Sequence, residues 1–190
     1  GQSVTSDGLL VVAPATFGSG TIAEAAKAKP EWLTPGTYVP SNDPAMKSLA
    51  KKIVGDSATV ASAATLVRDW VGSRMNPNAG IGVLRDAREV LATKEGVCRD
   101  YAVLTTTLLR AAGVPTRLAG GLVAADGALY YHAWAEVWDG SAWVGVDSTR
   151  PNTAFSAGHI RLGSGTLDEA FTFPFWTGAE AEVVAVERKA

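Results

Sequence analysis

The chain predicts an α+β fold in which N-terminal helices pack on an antiparallel β-sheet formed by the second half. Three observations carry this expectation. Between residues 44 and 112, apolar side chains recur at helical spacing in successive segments. Between 116 and 148, the pattern changes to short runs rich in aromatic and β-branched residues. Asp126-Gly127 and Asp139-Gly140 break those runs, and both dipeptides favour hairpin turns. Helices first and antiparallel strands second distinguish this class from alternating α/β. At 190 residues the chain can bury one sizeable core. A single domain over 1–190 is expected, with an extension at 1–43, a core at 44–163 and a C-terminal strand segment at 164–190.

Taken in order, residues 9–13 are an apolar run suited to a short strand. Residues 21–29 are alanine-rich and predict a short helix stopped by Pro30. Trp32, Leu33 and Tyr38 are expected to pin the proline-punctuated segment that follows to the core. Over 44–54, Met46, Leu49, Ala50 and Ile53 share a helical face, with Asp43 as N-cap and Pro44 at the first helical position. Over 57–74, Val60, Ala64, Val67 and Val71 form one stripe. Asp86 and Glu89 have capping-box spacing ahead of a short helix at about 87–92. Tyr101, Leu104, Leu108 and Ala112 then mark a helix that Gly113 and Pro115 end. Strands are expected at 116–124, with a bulge at Gly120-Gly121, then at 129–138, 141–148 and 182–186.

Composition excludes several classes. The net charge is -2, so no basic nucleic-acid surface or polybasic membrane patch is expected. No apolar run is long enough to cross a bilayer, and residues 1–20 lack the basic start and apolar centre of a signal peptide. One cysteine cannot make an internal disulfide. The histidines and Cys98 show none of the close spacings of a zinc site, and no clustered acidic loop suggests calcium, so no metal or cofactor is expected.

The chemistry is expected at Cys98, which lies where the loop at 93–97 turns into a helix. Free N–H groups and the positive end of the helix dipole favour an anion there, and the same setting activates a thiol. A buried structural cysteine fits the position equally well. A two-residue turn at Asp139-Gly140 would pair Trp138 with Ser141, and so His132 directly with Asp147 and Trp134 with Gly145. His132 and Asp147 would then share a face, with Cβ atoms roughly 4.5–5.5 Å apart. A helix-start thiol, an imidazole and a carboxylate that orients it are the parts of an activated nucleophile. Glu136 is expected to pair with Arg117 behind the site, Asp100 to steady the first helical turn, and His159 to serve as a structural or rim residue. Trp134, with Trp138 and Trp143 on the same face, fits the core and the lining of a substrate cleft equally well.

Four blocks in order then resemble the transglutaminase-like superfamily. They are Gly96-Val-Cys98-Arg-Asp-Tyr-Ala, Leu109-Arg-Ala-Ala-Gly-Val-Pro115-Thr-Arg117, His132-Ala-Trp134-Ala-Glu136-Val-Trp and Trp143-Val-Gly-Val-Asp147-Ser-Thr. The resemblance runs over about 46–163, and His159-Ile-Arg-Leu-Gly looks like a later family element. It implies a papain-like core with Cys98, His132 and Asp147 as a catalytic triad. Two departures stand out. Ser148 occupies a position where proline is common, and Met75-Asn76 replaces an aromatic residue near the site. Asn76 is therefore a candidate second oxyanion donor or substrate contact, although turn chemistry between Met75 and Gly80 also explains it.

The implied activity is cysteine-dependent acyl transfer through a thioester, as a peptidase, an amidase or a transglutaminase. The substrate would be an amide of a protein, a peptide or the cell wall. An extracytoplasmic location is expected ahead of a cytoplasmic one. The alternative is a non-catalytic module that keeps the fold and binds a peptide or glycan.

Overall fold

A computed structural model describes residues 1–151, 155–170 and 182–186. Its centre is α5 (Cys98–Ala111), which lies between a layer of helices and a four-stranded sheet. The helical layer comprises α2 (Pro44–Val54), α3 (Val60–Arg74) and α4 (Ala87–Thr93). The sheet comprises β5 (Thr116–Ala125), β6 (Ala128–Trp138), β7 (Trp143–Val146) and β8 (His159–Gly165), in the order β7-β6-β5-β8 and antiparallel throughout. Helices packed on an antiparallel sheet make this the α+β class expected from the sequence.

The helix boundaries follow local chemistry. Asp43 caps α2 by accepting from the Ala45 and Met46 N–H groups, and Thr59 caps α3 by accepting from Ser62 N–H. Asp86 and Glu89 form a reciprocal capping box at α4, satisfying donors that a helix start leaves unpaired. Thr21 and Glu24 do the same for α1 (Ile22–Ala28), after which Pro30–Leu33 continues as a 3-10 turn. Val60, Ala64, Val67 and Val71 are all buried, as their spacing predicts. In α5 the predicted stripe is only part of the outcome, because every residue from position 100 to 109 is buried. Helices cover one side and the sheet the other, so Thr105, Thr106 and Thr107 are enclosed as fully as Leu104 and Leu108.

The hairpin between β5 and β6 turns on Asp126 and Gly127, both at positive φ. That backbone matches the right-handed twist of the strands. The expected irregularity at Gly120/Gly121 is present as a register shift against β8. A side chain at Gly121 would place its Cβ 2.0 Å from the Ile160 carbonyl oxygen, so glycine is required for the close approach of β8.

The hairpin between β6 and β7 departs from expectation. Its loop has four residues, and Trp138 pairs with Trp143 instead of Ser141. The cause is Asp139, whose carboxylate accepts from Ser141 N–H, Ser141 Oγ and Ala142 N–H, drawing both residues into the loop. Its other oxygen accepts from Gly18 N–H, tying the N-terminal segment to the turn. Gly145 consequently lies opposite Glu136, not Trp134, and the space it leaves is filled by the Phe155 ring.

Five further elements were not read from the sequence. Leu10–Val12 is a strand (β2), but it pairs with an unexpected β1 (Gln2–Val4). A two-residue parallel ladder joins β3 (Asn76–Pro77) to β4 (Glu95–Gly96). β8 and the short α6 (Leu167–Ala170) fall in a stretch without strong periodicity. Conversely, residues 182–186, expected as a strand, have no regular structure, and Val183, Val184 and Val186 are exposed. The rest of the expected C-terminal segment, 171–181 and 187–190, lies outside the described residues. Among the described residues no helix is long and apolar enough to cross a membrane.

Candidate active site

The site is built from three chain segments delivered to one place. The first is the start of α5. α4 ends at Lys94, which adopts a left-handed conformation (φ 55°) and turns the chain back. Asn76 N–H donates to the Lys94 carbonyl at 2.8 Å, and Asn78 N–H donates to the Gly96 carbonyl at 2.9 Å, holding the loop against β3. Val97 N–H then donates to Asp100 Oδ2 at 2.9 Å. A Cβ on Gly96 would lie 2.5 Å from the Asp100 side chain, so glycine at 96 is what lets this carboxylate fold back. Arg85 braces the loop from the other side, 3.3 Å from Asp100 Oδ1 and donating to the Glu95 carbonyl at 2.6 Å. Cys98 is thereby fixed as the first residue of α5 and is half-buried. The Arg99 guanidinium donates to the Val83 carbonyl at 2.7 Å.

The second segment is β6. Ala133, Ala135 and Val137 turn into the core shared with α5, so His132, Trp134 and Glu136 occupy the opposite face by strand alternation. Arg117 bonds Glu136 at 2.7 Å, as expected, and Arg161 on β8 adds a second contact at 3.1 Å. Trp134, which fitted core and cleft lining equally from the sequence, is 1% exposed and so belongs to the core, not to an open cleft. It packs instead behind the site, its ring centroid 6.2 Å from that of His132 and 5.3 Å from that of His159.

The third segment follows β7. Asp147 lies one residue past the end of the strand, and the shifted register means it is not directly opposite His132. The shift is by an even number of residues, so the shared face survives. His132 Nε2 and Asp147 Oδ2 are 2.9 Å apart. Oδ1 accepts from Thr149 N–H at 2.9 Å and Thr149 Oγ1 at 2.7 Å. Ser148, the departure from the common proline, hydrogen-bonds Thr105 Oγ1 at 2.6 Å and so ties the Asp147 loop to α5.

Electrostatics follow from these contacts. Burial opposes charge on His132, but hydrogen bonds to Asp147 and Cys98, with the charges of both, outweigh it and push the imidazole up to about 9. Burial likewise opposes charge on Asp147, yet hydrogen bonds from His132, His159 and Thr149 hold its carboxyl well below the usual range. With Nε2 on the carboxylate, Nδ1 is the nitrogen left for the Cys98 thiol.

One contact of the site was not foreseen from the sequence. His159, expected in the frame or at the rim, is 4% exposed, and its Nε2 is 3.1 Å from the same Asp147 Oδ2 that His132 uses. The signal was non-local: β8 had to be paired with β5 before His159 could be placed. Donor atoms of His132, Asp147 and His159 lie within 4.8 Å of one another, close enough for a metal ion, but direct hydrogen bonds to the carboxylate already account for the spacing. Asn76, the other residue singled out, anchors the Cys98 loop through its backbone, and the residue is exposed.

The profile of the transglutaminase-like superfamily matches residues 47–148, more than half of the chain. The chain belongs to the transglutaminase-like superfamily. The structure of a candidate cysteine protease from Cytophaga hutchinsonii is similar to this superfamily member at TM-score 0.65 and 27% identity, covering 73% of this chain and 47% of that one. The periplasmic domain of TgpA from Pseudomonas aeruginosa shares the fold at TM-score 0.52 and 21% identity, over 65% of this chain and 47% of that one. An uncharacterised Mycobacterium leprae protein is 32% identical over 60% of this chain and 43% of its own length. An uncharacterised Mycobacterium tuberculosis protein is 37% identical over 32% of this chain and 24% of its own. The chain thus spans less than half of the curated relatives it matches.

Proposed function

We propose that this chain is a cysteine-dependent acyl-transfer enzyme acting on an amide. The observation that carries the reading is the sole cysteine, at the first position of α5, near an imidazole that rests on a buried carboxylate. In the reaction the Cys98 thiolate forms a bond to the amide carbonyl carbon, and the π electron pair moves to oxygen. The Cys98 N–H, at a helix start and without an intrahelical acceptor, donates to that oxyanion, with the Asn76 amide as the proposed second donor. Collapse breaks the C–N bond, and the His132 imidazolium gives its proton to the departing amine. His132 then takes a proton from water, which attacks the thioester and expels the thiolate. Asp147 holds the ring in orientation and balances its charge throughout. Hydrolysis is proposed ahead of amine transfer because it needs no second substrate site. Similarity to a candidate cysteine protease supports the same chemistry. The proposed substrates are amides of proteins, peptides or the cell wall, and the proposed location, outside the cytoplasm, fits the last of these.

Alkylation of Cys98 by iodoacetamide at pH 6, followed by intact mass, tests the reading without a known substrate. His132 is proposed to activate the Cys98 thiol as a nucleophile, so the wild type is expected to react much faster than free cysteine, and His132→Ala to slow it by about tenfold or more. Equal rates for the wild type, the folded variant and free cysteine would remove the activated nucleophile. A screen of peptide, glutaminyl and cell-wall amides then assigns the acyl donor.

A further inference from the structure

The geometry points to His159 as a positioning residue that holds Asp147 in line with His132. This inference rests on the reading of Cys98, His132 and Asp147 as the reactive set. Asp147 lies beyond the last paired residue of β7, so the sheet ladder does not hold it. Its carboxylate is held instead by side chains and one turn N–H. Thr149 occupies Oδ1, while His132 and His159 converge on Oδ2 at 2.9 and 3.1 Å. During turnover His132 must gain and release a proton, so its bond to Oδ2 changes strength at each step. His159 has no such task and donates to Oδ2 in every state.

His159 is itself immobilised. Its ring stacks on Phe155 at 4.0 Å between centroids and 26° between planes, and meets Trp134 edge-on at 5.3 Å. Nδ1 faces the Ser156 carbonyl at 3.3 Å. Phe155 in turn occupies the space left by Gly145 on β7, so stacked rings connect β8 back to the strand that precedes Asp147. Among the described residues, the ionisable groups near the cluster are Cys98 from α5, His132 from β6 and Arg68 from α3. Arg68 lines one small cavity with Asp147 and Phe155. Arg161, two residues along β8, is engaged with Glu136.

The test uses two replacements of His159. His159→Phe keeps a flat ring against Phe155 but removes the donor, and His159→Gln keeps an N–H donor at similar reach. Alkylation of Cys98 at pH 6 is expected to fall by about tenfold or more in His159→Phe and to stay within about threefold of wild type in His159→Gln. Unchanged rates in both variants, or equal losses in both, would overturn the positioning role. A second measurement needs no replacement of His159. The chain has two histidines, so 15N-histidine labelling resolves both rings by NMR. His159 Nε2 is expected to carry a proton over pH 5–8 and to change its shift in Asp147→Asn. An unprotonated Nε2 would sink the inference even if a variant failed to fold. If wild-type Cys98 reacts no faster than free cysteine, the enzymatic reading fails by itself, and the NMR result still decides the hydrogen bond.

Discussion

At the residue scale, Asp147 shows how much one carboxylate can be asked to do. It sits in a low-polarity setting, yet it stays ionised because four hydrogen bonds converge on it. Asp147→Asn preserves shape but replaces an acceptor-only group with one that also donates. The imidazole then loses its charge partner and its preferred tautomer. Turnover on an identified amide substrate is expected to fall by roughly two to four orders of magnitude while circular dichroism stays native. Near-normal turnover in the folded variant would mean that another group orients His132. Asp147 itself was legible in the sequence because strand alternation fixes a face even when register is wrong. His159 was not, because nothing near it in the sequence announces that β8 returns to β5.

At the element scale, the join between α5 and the Asp147 loop is made by two buried hydroxyls, Thr105 and Ser148, 2.6 Å apart. Removing one partner strands the other away from water, which costs about 1–3 kcal/mol. Thr105→Val and Ser148→Ala should therefore each lower stability by that order. The double variant should lose less than the sum, because the second change removes the unpaired group. Additive losses in a urea-denaturation cycle would show that the two hydroxyls act independently. The same pair explains why serine works where proline is common in this superfamily: the loop is restrained by a hydrogen bond to the helix instead of by a ring.

At the scale of the whole molecule, the shifted imidazole couples folding to pH. His132 is pushed up to about 9 in the fold, against about 6.5 in an unfolded chain. The native state thus binds this proton more tightly. The resulting stabilisation is complete below about pH 6.5 and is lost as pH rises towards 9, at roughly 1.4 kcal/mol per unit as an upper limit. Asp147 acts in the opposite direction, since its lowered value gives stability that is present above about pH 4 and lost in acid. Thermal melts of wild type and His132→Gln at pH 6, 7.5 and 9 should converge as pH rises. A constant gap between the two curves would contradict the coupling.

The features that the sequence determined by itself are those set by neighbours along the chain. Asp43, Asp86 and Glu89 cap helices where their spacing predicts, because a cap bonds N–H groups two or three residues away. Asp126-Gly127 turns as expected because the required backbone belongs to those two residues. The face shared by His132 and Asp147 follows from strand alternation, and the helix start at Cys98 follows from Gly96 and the periodicity after it. Tertiary structure decided what depends on distant partners. Asp139 sets a four-residue loop through side-chain bonds and ties it to Gly18, so the register differs from the one a two-residue turn would impose. Trp134 is enclosed because Phe155 and His159 arrive from later in the chain, which decides between the core and cleft roles that its strand position left open. The full burial of α5 needs both the helical layer and the sheet. His159 reaches Asp147 only because β8 pairs with β5 across Gly121, a contact between segments that no local pattern encodes.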